Sequence, residues 1–226
     1  MLNEIIKLND GPIKYEASGR GHLKMIGHKV PYSIMQREFD FLHNIVVENN
    51  LQRGFELATA FGISGTAIGT AFKKTGGKFV TMDAYIEEKC DNAGVYEKFQ
   101  RRVYDKSDGY KSVKYLIDKF QLQNHMFAEI GWSPDDVDSV LARHFTKEEK
   151  LDFVFLDAGH FGDQMIKDIT EISKHLAEKF IFVFHDIYPW SCTKDVHDLV
   201  IQLFGKDIDI KLPYPQGENM GIISCL

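Results

Sequence analysis

Two nearly uninterrupted apolar segments, LDFVFLD at residues 151–157 and KFIFVFHD at residues 179–186, constrain the fold of this sequence most strongly. A strand that is apolar on both faces must be covered on both faces, as in a parallel sheet flanked by helices. Similar short apolar runs recur along the chain. We therefore predict buried strands at residues 54–57, 78–82, 125–130, 151–156 and 180–184.

Stretches with helical spacing separate these strands, and this alternation predicts repeated β-α-β units. The predicted helices are residues 34–50, 66–74, 107–120, 134–143, 163–177 and 194–204. The strand-like runs 207–212 and 220–225 are joined by a link too short for a helical crossover, so they should pair antiparallel. We predict a Rossmann-like, doubly wound α/β sheet of seven strands, mostly parallel with a C-terminal antiparallel hairpin, and helices on both faces.

Domain organisation follows from length and local composition. A chain of 226 residues with 44% hydrophobic content suits one domain with a substantial core, which we place at residues 34–226. Residues 1–33 are rich in Gly and His and weakly periodic, and we expect them to form an N-terminal lid or extension. The connection at residues 85–105 is a second candidate wall of a substrate site. Loops packed for stability alone are the alternative for both segments.

Charge and cysteine usage exclude several classes of partner. The formal net charge is −6 with no basic run, so we expect no nucleic-acid partner. No segment approaches the ~20 apolar residues of a spanning helix, which predicts no membrane partner. The three cysteines, Cys90, Cys192 and Cys225, lie far apart and are expected to be reduced thiols in a cytoplasmic protein. A small molecule is the remaining class of partner, and the sequence does not decide whether the chain forms a homo-oligomer.

Polar and small residues cluster where the predicted strands end. In an open α/β sheet, ligands bind at the carboxyl ends of the strands, where the winding reverses. The residues at or just after the ends of the five strands are Glu56, Ala58 and Gly62; Asp83; Gly131, Trp132 and Ser133; Asp157 and His160; and His185 and Asp186. We expect these groups to converge on one edge of the sheet.

The first of these strand ends, FELATAFGISG at residues 55–65, predicts a strand-to-helix corner that a ligand can approach closely. Asp83 ends the next strand, and its carboxylate could accept hydrogen bonds from a ribose diol; helix N-capping is the alternative. The corner lacks the GxGxxG of dinucleotide enzymes and the GxxxxGK of P-loops, which disfavours phosphate ligands. A nucleoside with a short, charged, phosphate-free tail fits, namely S-adenosylmethionine.

The stretch FELATAFGISGTAIGTAF resembles the first motif of class I S-adenosylmethionine-dependent methyltransferases, E-x-G-x-x-x-G. Glu56 and Gly62 match, and Ala58 replaces the first glycine at the cost of one crowding methyl group. The later segments LDAGHFGDQMIKDI and HDIYPWSCTKDVHDLV resemble methyltransferase family 24 and sugar-modifying O-methyltransferases related to macrocin methyltransferase. The resemblance covers roughly residues 34–226 and implies methylation of a sugar or aromatic hydroxyl.

The same resemblance implies roles for individual residues. It places Glu56 near the methionine amino end of the donor and Asp83 on the ribose. The remaining implied donor contacts are the backbone from Ala58 to Gly62, Ser64, and Gly131, Trp132 and Ser133 around the adenine. Asp157 corresponds to the acid that related enzymes turn toward the reacting methyl group.

Methyl transfer to a hydroxyl needs a group that removes a proton. His160, three residues after Asp157, is the first candidate base and His185 the second, with structural histidines as the alternative. O-methyltransferases of this shape often bind a divalent cation through an acid after the fourth strand and an acidic pair after the fifth. Asp157 and Asp186 match two of those ligands, while Ile187 cannot ligate, so a Mg²⁺ site stays open.

Two other functions are compatible with parts of the sequence. An S-adenosylmethionine-binding module without catalysis would explain Ala58 and Ile187, where two residues of the family pattern are missing. Oxidation by an iron enzyme is a third option, but its facial His and carboxylate ligand set is not evident. Nucleobase N-methylation is disfavoured, because the fourth strand is followed by DAGH rather than NPPY or DPPY.

Overall fold

A computed structural model of the chain describes residues 2–8, 10–12, 14–17, 22–25, 32–85, 108–158, 163–185, 193–205 and 220–225. The first elements are α1 (Leu2–Ile6) and the strands β1 (Tyr15–Ala17), β2 (His22–Met25) and β3 (Tyr32–Met35), which form an antiparallel sheet in the order β1-β2-β3. Strands of three or four residues show too few alternations to be recognised in the sequence. The predicted domain boundary at residue 33 falls inside β3, and β3 leads directly into α2 (Gln36–Glu48).

The large sheet confirms the predicted Rossmann-like fold. Its strands are β4 (Arg53–Leu57), β5 (Lys78–Asp83), β6 (Met126–Ile130), β7 (Leu151–Leu156), β8 (Leu176–Phe184) and β9 (Gly221–Cys225). They lie in the order β6-β5-β4-β7-β8-β9; β9 pairs antiparallel with β8, and the other pairs are parallel. The winding reverses between β4 and β7. The predicted strand at residues 207–212 lies outside the described residues, and the described part of this sheet has six strands.

The remaining helices are α3 (Ile63–Thr75), α4 (Asp108–Lys119), α5 (Val137–Leu141), α6 (Asp163–Ser173) and α7 (Thr193–Phe204). The prediction of one helix over residues 163–177 was wrong at its end, because β8 begins at Leu176. The first four residues of β8 are exposed or half-buried, so they lack the apolar signal of a buried strand. The predicted helix 134–143 is shorter than expected, since turns occupy residues 133–136 and 142–144.

The sheet separates two hydrophobic cores, because successive side chains of a strand point to opposite faces. Phe153 and Phe155 of β7 join α2, α3 and α4 in one core, here called core A. Val154 and Leu156 join α5, α6 and α7 in the other, core B. Helices therefore cover both faces of the sheet, as predicted.

The N-terminal elements contribute to core A. Ile5, Tyr15 and Ile34 are buried there, and the Tyr15 hydroxyl lies 2.6 Å from Ser112 Oγ on α4. Ser112 Oγ in turn lies within hydrogen-bonding distance, 3.0 Å, of the Phe61 carbonyl oxygen in the corner before α3. Within the described ranges, no helix combines the length and the apolar character needed to cross a bilayer.

Candidate active site

The corner between β4 and α3 contains the N-terminus of α3. Gly62 is the N-cap residue of α3 with φ +84°, and no side chain caps the helix there. The first N–H groups of a helix have no partner inside the helix, so they are available to a ligand that offers acceptor atoms. This corner lies at the switch point between β4 and β7, on the edge formed by the carboxyl ends of the parallel strands, here called the carboxyl edge.

Ala58, which replaces the first glycine of the motif, has a left-handed backbone with φ +74°. The sequence predicted a cost from methyl crowding, and the structure identifies backbone strain as a further cost. An L-residue in the left-handed region costs roughly 1–2 kcal/mol relative to the right-handed one. The Ala58 N–H donates to the Met82 carbonyl oxygen at 2.9 Å, which ties the strained residue to β5.

Glu56 lies beneath the corner and is closed to solvent. Thr81 Oγ1 donates a hydrogen bond to Glu56 Oε2, and the Thr59 hydroxyl contacts Thr81 Oγ1. Burial raises the pKa of Glu56 to about 8, and hydrogen bonding by Ser64 and Thr81 opposes part of that rise. A Cβ at Gly65 would meet Glu56 Oε2 at 2.9 Å, so glycine allows α3 to pass directly over this carboxyl group.

Asp83 ends β5 and shapes the corner loop. Its Oδ2 accepts the Ala60 N–H at 2.8 Å, and its Oδ1 accepts the Tyr85 N–H at 2.6 Å. Burial raises the pKa of Asp83, while these two backbone hydrogen bonds act in the opposite direction. A carboxylate oxygen has a second lone pair, so each oxygen can still accept a hydrogen bond from a ligand hydroxyl.

The loop after β6 carries Gly131, Trp132 and Ser133. The Gly131 N–H donates to the Asp83 carbonyl oxygen at 3.0 Å, and the Trp132 N–H donates to Asp136 Oδ2 at 2.8 Å. Ser133 Oγ donates to Asp168 Oδ1 on α6 at 2.5 Å. The loop is therefore fixed both to β5 and to a helix of core B.

The ends of β7 and β8 bring Asp157 and His185 together. His185 Nδ1 lies 3.1 Å from Asp157 Oδ1, within ion-pairing distance. His185 Nε2 lies 3.5 Å from Glu38 Oε1, and the other oxygen of Glu38 accepts the Met35 N–H at 2.6 Å. The imidazole therefore lies between one carboxyl group of the sheet and one of α2. His160, Asp186 and Ile187 lie outside the described residues.

The model of methyltransferase family 24, described as a methyltransferase domain, matches residues 55–187, which is more than half of the chain. The chain belongs to this family. The match confirms the class of protein predicted from the sequence, and it spans the corner, Asp83, the loop after β6 and the Asp157–His185 pair.

The fold of this methyltransferase is similar to those of several solved structures. The Podospora anserina methyltransferase PaMTH1 is 13% identical, with a TM-score of 0.60 over 84% of this chain and 79% of that one. The O-methyltransferase TomG from Streptomyces achromogenes is 15% identical, with a TM-score of 0.60 over 86% and 81%. An O-methyltransferase from Bacillus cereus is 13% identical, with a TM-score of 0.59 over 85% and 81%. At this level of identity, the similarity establishes the shared fold.

Sequence reasoning missed two carboxyl groups of the methyltransferase that contact predicted site residues. Glu38 shares the buried side of α2 with Leu42 and Val46, and Asp168 lies among the buried residues of α6 beside Ile169. Both are buried. A carboxylate placed on the apolar stripe of an amphipathic helix was the available signal, because such groups are rarely buried without a partner.

One cluster away from the predicted residues has metal-ligand chemistry. The ligand atoms of Asp138, Glu171 and His175 lie within 4.8 Å of one another. His175 Nε2 is 2.7 Å from Asp138 Oδ1, and Lys174 Nζ is 2.6 Å from Glu171 Oε2. These contacts account for the cluster without a cation, and we assign no metal to it.

Proposed function

We propose that this methyltransferase transfers the methyl group of S-adenosylmethionine to an oxygen atom of a small molecule, a sugar or an aromatic hydroxyl. The observation that carries the proposal is the uncapped N-terminus of α3 at the switch point, with the Asp83 carboxylate beside it. The solved structures add support: PaMTH1 is bound to S-adenosylhomocysteine, TomG is in complex with S-adenosylmethionine, and the Bacillus cereus enzyme is in complex with S-adenosylhomocysteine.

The residues of the corner fit the proposed donor. The N–H groups at the start of α3 suit its methionine carboxylate, and the two oxygens of Asp83 suit its ribose hydroxyls. The fully buried Glu56 would act from below the corner, near the amino end of the donor. The loop of Gly131, Trp132 and Ser133 would hold the adenine.

The donor, when bound, supplies a methyl group activated by a sulfonium. The protein must then place the acceptor oxygen in line with that methyl group and remove its proton. We assign Asp157 to the acceptor side, because it directly follows β7, and its N–H donates to the Leu57 carbonyl oxygen of the corner strand β4 at 3.2 Å. Asp157 and Asp186 would be the protein ligands of a Mg²⁺ ion if the reaction uses one.

The contacts of His185 favour a positioning role. Its two ring nitrogens face the carboxyl groups of Asp157 and Glu38, an arrangement that orients Asp157. A base that takes a proton from the acceptor needs a nitrogen directed at that acceptor. We therefore propose His160 as the base and His185 as the residue that fixes Asp157.

Calorimetric titration with S-adenosylhomocysteine tests donor binding, and release of S-adenosylhomocysteine from S-adenosylmethionine in the presence of phenolic and sugar acceptors tests catalysis. We expect binding together with acceptor-dependent release. Tight binding without release for any acceptor would instead support a cofactor-binding module without catalysis. No binding at all would contradict the proposed donor site.

Asp83→Ala should weaken S-adenosylhomocysteine binding by about 1–3 kcal/mol, the range for lost hydrogen bonds to a charged group. Asp118→Ala, which removes an exposed carboxylate from α4, is the matched control and should bind normally. Because Asp83 also holds the Ala60 and Tyr85 N–H groups, circular dichroism should first establish that the variant is folded. An unchanged dissociation constant would remove Asp83 from the ribose site.

A further inference from the structure

Three polar side chains join the loop after β6 to α6. Asp168 Oδ1 accepts hydrogen bonds from Ser133 Oγ at 2.5 Å and from Gln164 Nε2 at 2.9 Å. Gln164 Nε2 also donates to the Ser133 carbonyl oxygen at 3.1 Å. Gln164 thus fixes the backbone of Ser133, while Asp168 fixes its hydroxyl group.

This arrangement is costly for the fold. The Asp168 side chain is fully buried, and its second oxygen, Oδ2, has no hydrogen-bond partner in the described part of the chain. A buried carboxylate with an unsatisfied oxygen destabilises a protein, and an apolar residue of similar size is often at least as stable. The contribution of Asp168 to stability therefore does not explain its presence.

The contact determines which way the Ser133 hydroxyl points. Burial raises the pKa of Asp168 to about 6, so the carboxyl group is ionised at neutral pH and can only accept hydrogen bonds. The proton of Ser133 Oγ is then directed at Asp168. Gln164 Nε2 also lies 3.5 Å from Ser133 Oγ and can use one of its lone pairs, which leaves the other lone pair for a partner on the half-buried side of the loop.

We propose that Asp168 is a positioning residue that makes Ser133 a hydrogen-bond acceptor for the exocyclic amino group of the donor's purine. The inference rests on the proposed function, which places the adenine against this loop. Adenine offers an N–H donor at position 6, whereas hypoxanthine offers a carbonyl acceptor there. Two acceptors facing each other cannot bond, so the site should select the 6-amino purine.

The test compares S-adenosylhomocysteine with S-inosylhomocysteine, which has a carbonyl oxygen at position 6 and an N–H at position 1, by calorimetry at pH 7.5; the Asp168 variants separate the contact with Ser133 from the change at position 1. The wild-type protein should bind the adenosyl compound about tenfold more tightly or better, the cost of an unpaired polar group in a binding site. Asp168→Leu leaves the Ser133 hydroxyl free to rotate and donate, and should bring the two affinities toward equality. Asp168→Asn retains an acceptor oxygen for Ser133 and should restore the preference.

A purely structural role for Asp168 would change both affinities together and leave their ratio intact. A folded Asp168→Leu protein that keeps the full preference would overturn the proposal, as would a wild-type protein that binds both compounds equally. If Asp168→Leu fails to fold, Ser133→Ala decides: loss of adenosyl affinity with unchanged or improved inosyl affinity supports the proposal, and any other pattern overturns it. Wild-type protein that binds neither compound would overturn the proposed donor site itself.

Discussion

At the scale of single residues, Ala58 is the clearest departure from the family motif. Its φ of +74° suits glycine, so Ala58→Gly should relieve backbone strain of roughly 1–2 kcal/mol. Glycine also gives the unfolded chain more conformational entropy, which reduces this gain by about 0.5–1 kcal/mol. We expect the free energy of unfolding to rise by up to about 1 kcal/mol, measured by urea denaturation. Ala142→Gly, at φ −63°, is the matched control and should destabilise. Destabilisation of equal size in both variants would contradict the assignment of strain to Ala58.

Glu56 makes stability depend on pH. Its folded-state pKa of about 8 lies above its ordinary value of 4.5, so the folded state binds the proton more tightly. Its contribution to stability is therefore complete below about pH 4.5 and is lost as the pH rises through about 8. Glu56→Gln removes this loss, and its free energy of unfolding relative to wild type should increase steadily from pH 5 to pH 8.5.

Urea denaturation at pH 5, 7 and 8.5 would measure the effect of Glu56→Gln. Glu129→Gln is a useful control, because hydrogen bonding and charge from His144 and Arg143 lower the pKa of Glu129 despite its partial burial. The stability that Glu129 contributes in the wild type should be lost only as the pH falls below its ordinary value of 4.5, so Glu129→Gln should differ from wild type by a constant amount from pH 5 to pH 8.5. A difference between Glu56→Gln and wild type that stays constant over this pH range would show that Glu56 is not protonated in the folded protein.

At the scale of elements, the N-terminal sheet is fastened to α4 by the Tyr15–Ser112 hydrogen bond, which is buried. Tyr15→Phe should lower the free energy of unfolding by about 1 kcal/mol, the usual net value of such a bond. Tyr115→Phe removes the contact of Tyr115 with Asp10 at the surface of the same helix and should cost less. Equal effects in chemical denaturation would indicate that the buried contact gives no extra stability.

The loop after β7 carries the chemistry in our proposal, and we expect activity to survive EDTA. His160→Ala should lower turnover by about 10²-fold or more, the usual effect of losing a positioned base, with donor affinity nearly intact. His43→Ala on α2 serves as the control. Loss of wild-type activity on chelation, with recovery on added Mg²⁺, would return the central role to Asp157 and Asp186. If activity resists the chelator and is also unchanged in His160→Ala, then either His185 is the base or positioning of the two substrates is sufficient for the reaction.

At the scale of the whole molecule, the sheet and its carboxyl edge were predictable from the sequence. The strands of the large sheet are apolar enough to be recognised, and the order of β-α-β units then placed Asp83, Ser133 and Asp157 at one edge. The contact of Glu38 with His185 was not predictable, because it depends on how α2, which precedes the sheet, packs against it. The left-handed backbone of Ala58 was not predictable from its residue type either, because alanine normally has a negative φ.

The division of the interior by the sheet has a consequence for combining substitutions. Phe72 lies in core A and Ile169 in core B, and among the described residues the two cores have no member in common. Changes in free energy at separated sites with no common neighbours usually add within about 0.5 kcal/mol. Engineers could therefore optimise the two cores in separate libraries and merge the best variants, whereas neighbouring positions within one core must be varied jointly.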